Sequence, residues 1–146
     1  MNYIRSFKSL RLKDIPIVGG KTASIGEMIA ELHAQQIVVP DGFAVTAQSY
    51  WFHLEENGLL APLKAVVKKL GKNPSLQTIR LVGKQARVLI EKKPLPEILC
   101  KQIADAYEAL CKQVGIAHCS VAVRSSATAE DLPNASFAGQ QETYLN

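Results

Sequence analysis

The chain has 146 residues, 47% hydrophobic and 21% charged, which suits one globular domain or a piece of one. No apolar run is long enough to span a bilayer, and the opening MNYIRSFKSLRLKDI lacks the apolar h-region of a secretory signal, so a cytoplasmic setting is expected. Three cysteines, Cys100, Cys111 and Cys119, are an odd count with no Cys-x-x-Cys pair. That argues against a disulfide framework and a zinc site, and leaves three small buried or half-buried thiols as the expectation. The net charge of +4 is unevenly spread: residues 64–101 hold ten Lys/Arg against two Glu. That stretch carries no aromatic residue on which a base could stack, so solvated helix faces are expected there rather than a nucleic-acid surface.

Residues 3–12 mix apolar and basic positions and suit a short strand, after which Asp14-Ile15-Pro16 reads as a turn leading to Gly19-Gly20. From about Lys21 the spacing turns helical, with Ile25, Met28, Ile29 and Leu32 on one face. Ser24-x-x-Glu27 matches a capping box, but the glycines put the helix start nearer Lys21. Residues 37–39 and 42–45 flank Pro40-Asp41 as one extended segment interrupted by a turn. Thr46 is placed to cap a helix with Ala47, Tyr50, Trp51 and Leu54 inward, closed by Gly58.

Three further helices are expected. The first turns Leu60, Leu63, Val67 and Leu70 inward and ends at Gly71. Ser75 caps the second, with Leu76, Ile79, Val82, Ala86 and Leu89 inward. The third follows Pro94 and Pro96, with Leu99, Ile103, Ala106, Tyr107, Leu110 and Val114 inward up to Gly115. Then the pattern changes. Residues 120–123 form a β-prone run ending on Arg124, a polar loop covers residues 125–139, and residues 141–145 are extended again.

Gly20-Lys21-Thr22 suggests a P-loop, but the Walker pattern needs a glycine where Ile15 stands. What remains is a glycine pair and a lysine at a helix N-terminus, where free N–H groups and the dipole favour phosphate. Arg124, leaving a buried strand beside Ser125 and Ser126, has the planar fork of donors that holds phosphate oxygens. Glu130 and Asp131 could pair with it, serve magnesium, or simply be solvated, the last being preferred. The run SFAGQQ (residues 136–141) has the make-up of a flap, with Gly139 supplying backbone freedom and Phe137 a cover. His33, His53 and His118 have no Asp or Ser at triad spacing and are expected at surface or satisfied positions.

Together, VGGKTASIGEMIAEL (residues 18–32), VPDGFAVTAQSY (39–50) and VAVRSSATAEDLPNASFAGQQETYLN (121–146) resemble the N-terminal part of the phosphoenolpyruvate synthase family. Pyruvate phosphate dikinases share the Gly-Gly-Lys and Arg-Ser-Ser elements but carry a methionine-rich loop. Rifampin phosphotransferases are the runner-up; they usually have Asp at the position of Glu142 and lack the Gly26–Ile29 wording. The resemblance implies an α/β (α+β) fold, helix-rich with a small sheet, forming the N-terminal part of an ATP-grasp nucleotide-binding domain. A helical stretch, about residues 59–115, would be inserted between the motif blocks. It implies ATP as ligand, contacted through Lys21, Arg124, Gly139 and Thr143, with pyruvate as the acceptor of the full-length enzyme. Magnesium ligands, the phosphohistidine domain and the pyruvate-binding domain are expected beyond Asn146, so no catalytic or metal residue is assigned within the chain and it is expected to be inactive alone. A homodimeric full-length enzyme is a further expectation; nucleic acid and membrane are not expected partners.

Overall fold

The computed structural model describes residues 1–129 and 143–145. The chain divides into two compact units, Met1–Ser49 with Ile98–Asn146, and Tyr50–Glu97.

In the first unit, β1 (Ile4–Ser6) pairs antiparallel with β2 (Phe43–Val45), Arg5 facing Ala44. Main-chain bonds from Phe7 to Gly42 (3.0 Å) and from Thr46 to Tyr3 (2.9 Å) extend the ladder at both ends. Residues 37–39, expected to be extended with it, lie outside any strand. The expected turn at Asp14-Ile15-Pro16 is instead a 3-10 turn, Leu12–Asp14, running into the short helix α1 (Ile15–Val18). Pro16 suits the first turn of a helix, where its missing N–H has no intrahelical partner to lose.

Helix α2 (Gly20–His33) packs on these turns by a face that the apolar spacing did not indicate. Its buried residues are Gly20, Ala23 and Gly26, while Met28 is 43% exposed. The reason is closeness. A Cβ on Gly26 would lie 2.5 Å from the Leu10 carbonyl oxygen and 2.7 Å from its Cβ. Leu10, Val18, Ala23 and Ala44 form the core of this unit, with Phe7 and Ile15 packed against it. Ser24 and Glu27 do not form a capping box; the Glu27 carboxylate accepts from the Leu12 amide at 2.9 Å, fastening α2 to the turn beneath it.

Helix α6 (Glu97–Val114) belongs to the same unit and buries Leu99 and Cys111, whereas Val114 is exposed. Its Gln102 side chain fastens the residues just before β1, accepting from the Tyr3 amide (2.8 Å) and donating to the Met1 carbonyl (2.9 Å). Gln113 donates to Asp41 (2.7 Å), whose carboxylate also meets Lys8 at 2.6 Å. Burial raises the proton affinity of Asp41, but Lys8, Gln113 and the Gly42 amide outweigh it and hold the carboxyl below its ordinary 3.8.

In the second unit α4 (Leu60–Lys68) and α5 (Leu76–Glu91) pack as a helical pair. Ser75 caps α5 as its sequence suggests, accepting from the Thr78 amide at 3.1 Å. The inward faces match the expected ones only in part. Val82 is buried as expected, but Leu59 and Val66 are buried where Leu60 and Val67 were expected, and Val67, Leu76 and Ile79 are about half exposed. In helix α3 (Ala47–Glu56) Leu54 is buried as expected, but Ser49 and His53 are buried beside it and Tyr50 and Trp51 are exposed. The Tyr50 and Trp51 rings meet edge to face at 5.8 Å. His53 is satisfied by Asn57, whose amide nitrogen lies 3.3 Å from its Nδ1. The Thr46 hydroxyl does not cap α3: its Oγ1 is buried without a partner, and Ser49 instead donates to the Thr46 carbonyl at 2.6 Å. The glycines expected to end helices do so, Gly58, Gly71 and Gly115 having φ of 62°, 63° and 78°. Among the described residues no helix is long and apolar enough to cross a membrane.

Two glycines predict opposite outcomes. Glycine to alanine in an open helix position stabilises by about 0.5–1 kcal/mol, and Gly83 of α5, where a Cβ would meet only Arg87 at 3.5 Å, should show that gain. At Gly26 the same change should instead destabilise by about 1–3 kcal/mol, because the new methyl meets backbone. Denaturant midpoints of the two variants check the sign.

Asp41 predicts an acid limb. Its contribution is present above the unfolded value near 3.8 and fades as pH falls through the lower folded value. Lys8 is more than half exposed, so Asp41→Asn should cost no more than about 1 kcal/mol near pH 7. That difference from the unaltered protein should shrink as pH falls below the ordinary carboxylate value and close once it is below the lowered folded value, as read by pH-dependent unfolding.

Candidate functional site

The N-terminus of α2 is built without a side chain at its cap. Gly19 occupies the N-cap position with φ 81° and ψ 163°, a region glycine enters readily. The side chain at an N-cap ordinarily accepts from the second or third helical amide. Gly19 has none, and the role passes to Ser126, whose Oγ accepts from the Thr22 amide at 3.3 Å across 104 residues of sequence. A Cβ on Gly19 would strike that Oγ and lie 2.8 Å from the Ala127 carbonyl oxygen. Gly-Gly-Lys and Arg-Ser-Ser, far apart in sequence, are thus joined by a side-chain-to-backbone bond and by the close approach of the chain at Gly19.

Arg124 ends β3 (Ala122–Arg124), which pairs antiparallel with β4 (Thr143–Leu145). The register sets Arg124 directly opposite Thr143, so the two share one face of the hairpin. β3 was expected to be a buried strand, but all three of its positions are exposed, as are those of β4. A two-stranded ribbon has two faces, and no described element packs closely enough to bury either. Arg124 stands two residues from Ser126, a chain reach of at most about 7 Å. Lys21 is exposed and immediately precedes Thr22. Lys21 and Arg124 thus lie one and two residues along the chain from the partners of the Thr22–Ser126 bond, and Thr143 stands opposite Arg124.

Gly139, the fourth residue assigned to the site, lies outside the described residues, as do Glu130, Asp131 and Phe137. Among the described residues no group of three or more His, Cys, Asp or Glu converges as a metal site. Reasoning from the sequence missed the part played by Ser126. Read there as a second hydroxyl beside Arg124, it turns toward the helix end and binds its amide. The signal was present in Gly19, a cap residue with no capping atom of its own.

Chemically the junction offers two cationic side chains, a hydroxyl and a helix N-terminus carrying partial positive charge, the make-up of a phosphate-binding site. Residues 15–146 match the family described as the pyruvate phosphate dikinase AMP/ATP-binding domain, and the chain belongs to that family. It is 48% identical over its whole length to a phosphoenolpyruvate synthase of Helicobacter pylori and 49% identical over 99% of its length to one of Neisseria meningitidis. A probable phosphoenolpyruvate synthase of Methanocaldococcus jannaschii is 44% identical over the whole chain. The chain spans 18%, 18% and 12% of the length of these three relatives.

The junction predicts a large effect from a small change. Gly19→Ala should destabilise the first unit by about 1–3 kcal/mol, since both the backbone angle and the space are denied to it. Hydrogen exchange should show the Thr22 amide losing protection with it; unchanged protection would mean that Ser126 does not cap the helix.

Proposed function

We infer that this chain is the ATP-binding part of a phosphoenolpyruvate synthase, corresponding to the N-terminal part of an ATP-grasp domain. The activity would convert ATP, pyruvate and water to AMP, phosphoenolpyruvate and phosphate through a phosphohistidine on another domain, in the cytoplasm. The observation that carries this reading is identity approaching one half along the entire chain to enzymes of that name. The junction supports it in kind. The dipole of a helix N-terminus favours phosphate, and Lys21 and Arg124 lie one and two residues along the chain from Thr22 and Ser126, which bond at that helix end.

The residues' roles follow from their chemistry. Lys21 would act as a compact mobile charge at the helix end. Arg124 would hold oxygens with its planar fork, steadied by its place opposite Thr143 in the hairpin. Thr143 would add a hydroxyl on the same face, and Gly139 would let the loop backbone close over the nucleotide. ATP bound here would supply the phosphoryl group, and the chain's part would be to position it and offset its charge. Magnesium ligands are assigned to later residues.

The test uses the full-length protein. A charge-assisted hydrogen bond contributes about 1.5–3 kcal/mol, so Lys21→Ala and Arg124→Ala should each weaken ATP binding by about 10- to 150-fold. ATP-dependent phosphorylation of the histidine domain should fall with it while the unfolding midpoint stays put. Unchanged phosphorylation in both variants would overturn the assignment.

A further inference from the structure

Helix α6 ends in a feature that nucleotide binding does not use. Cys111 lies in its last turn, and the chain reverses through Gly115, whose N–H returns to the Cys111 carbonyl at 2.9 Å. The reversal brings back Cys119, three residues before β3. The two sulfurs stand 2.9 Å apart. Both residues are buried, at 3% and 7% exposure.

Two further contacts hold Cys119 in place. Its amide donates to the Cys111 sulfur at 3.3 Å, and its carbonyl accepts from the Tyr107 hydroxyl at 2.9 Å. Tyr107 and Cys111 are four residues apart in α6 and so share a helix face. That face grips the returning segment at both backbone groups of Cys119.

We propose that Cys111 and Cys119 form a reversible redox pair that closes to a disulfide when the protein meets hydrogen peroxide. A disulfide needs sulfurs about 2.05 Å apart, so closure from 2.9 Å asks for a shift of about 0.9 Å. Cys100 cannot compete for Cys111. It lies eleven residues earlier on the same helix, about 16 Å along the axis at 1.5 Å per residue.

The chemistry assigns Cys111 the first step. Burial disfavours its thiolate, but the Cys119 thiol and the Cys119 amide bond to it and outweigh burial, so Cys111 ionises more readily than an ordinary thiol. Cys119 is shifted the other way, chiefly by its bond to Cys111. The Cys111 thiolate attacks a peroxide oxygen, breaking the O–O bond; Cys111 becomes a sulfenic acid and hydroxide leaves. The Cys119 sulfur then attacks the Cys111 sulfur, its proton leaves with the displaced hydroxide as water, and the S–S bond forms. In total two thiols and one peroxide give one disulfide and two waters. The burial of both residues favours a small oxidant over a bulky disulfide, and a dithiol reductant reverses the change.

The experiment treats the folded full-length protein with hydrogen peroxide, blocks remaining thiols by alkylation, and digests with trypsin without reduction. Cleavage after Lys101, Lys112 and Arg124 puts Cys111 in the peptide of residues 102–112 and Cys119 in that of residues 113–124. The expected product is these two peptides joined, two hydrogen atoms lighter than their sum. It should rise about ten-fold over the untreated protein and vanish on reduction, with Cys100 still alkylated. Cys100→Ser should leave the link unchanged. Cys119→Ser should replace it with a Cys111 sulfenic acid that dimedone traps. Peptides that remain separate after treatment, or links involving Cys100 as abundant as the Cys111–Cys119 link, would overturn the proposal.

Discussion

The backbone of Gly19 lies against Ser126 and Ala127 so closely that no side chain fits between them. A long loop is closed there, and the ordering cost of such closure must be met by contacts made at the join. Those available are the Ser126 bond to the Thr22 amide and the packing that glycine's missing Cβ allows. The gain is positional. The end of α2 and the segment just after Arg124 meet there, although they belong to opposite ends of the sequence.

The same economy of atoms explains why α2 buries a face of small residues. Helical apolar spacing identifies the inward side when side chains fill the gap between elements. Between α2 and the turn at Leu10 there is no such gap, so Gly20, Ala23 and Gly26 face inward and Met28 does not. The helices of the second unit depart from expectation less radically. Leu59 and Val66 take the places expected for Leu60 and Val67, a rotation of one residue. A stripe of apolar residues wide enough to allow two neighbouring settings cannot choose between them without its partner.

The site was legible to different depths. Lys21, Arg124 and Thr143 stand out in the sequence because the motif blocks around them are long and specific. That Arg124 and Thr143 would face each other depends on strand register, which the sequence did not state. The exposure of β3 could not be read either, since Val121-Ala122-Val123 has the make-up of a strand covered on both sides. The thiols show the same divide. Three buried or half-buried cysteines were expected, yet Cys100 is exposed, and the other two meet because α6 ends where Gly115 turns the chain back.

What the sequence determined by itself was local. The existence of the helices, their ends at Gly58, Gly71 and Gly115, and the Ser75 cap all rest on interactions reaching only a few residues along the chain. The family membership was equally legible, because motif blocks are matters of residue identity and order. Tertiary structure decided which face of each helix turned inward, which atom capped α2, and which two cysteines met. Each of those outcomes turns on a contact between segments that local propensity cannot register. The physical reason is clearest at Gly19: a residue without a side chain carries no signal of what it will touch, and it touches what lies 107 residues ahead at Ser126 because nothing stands in the way.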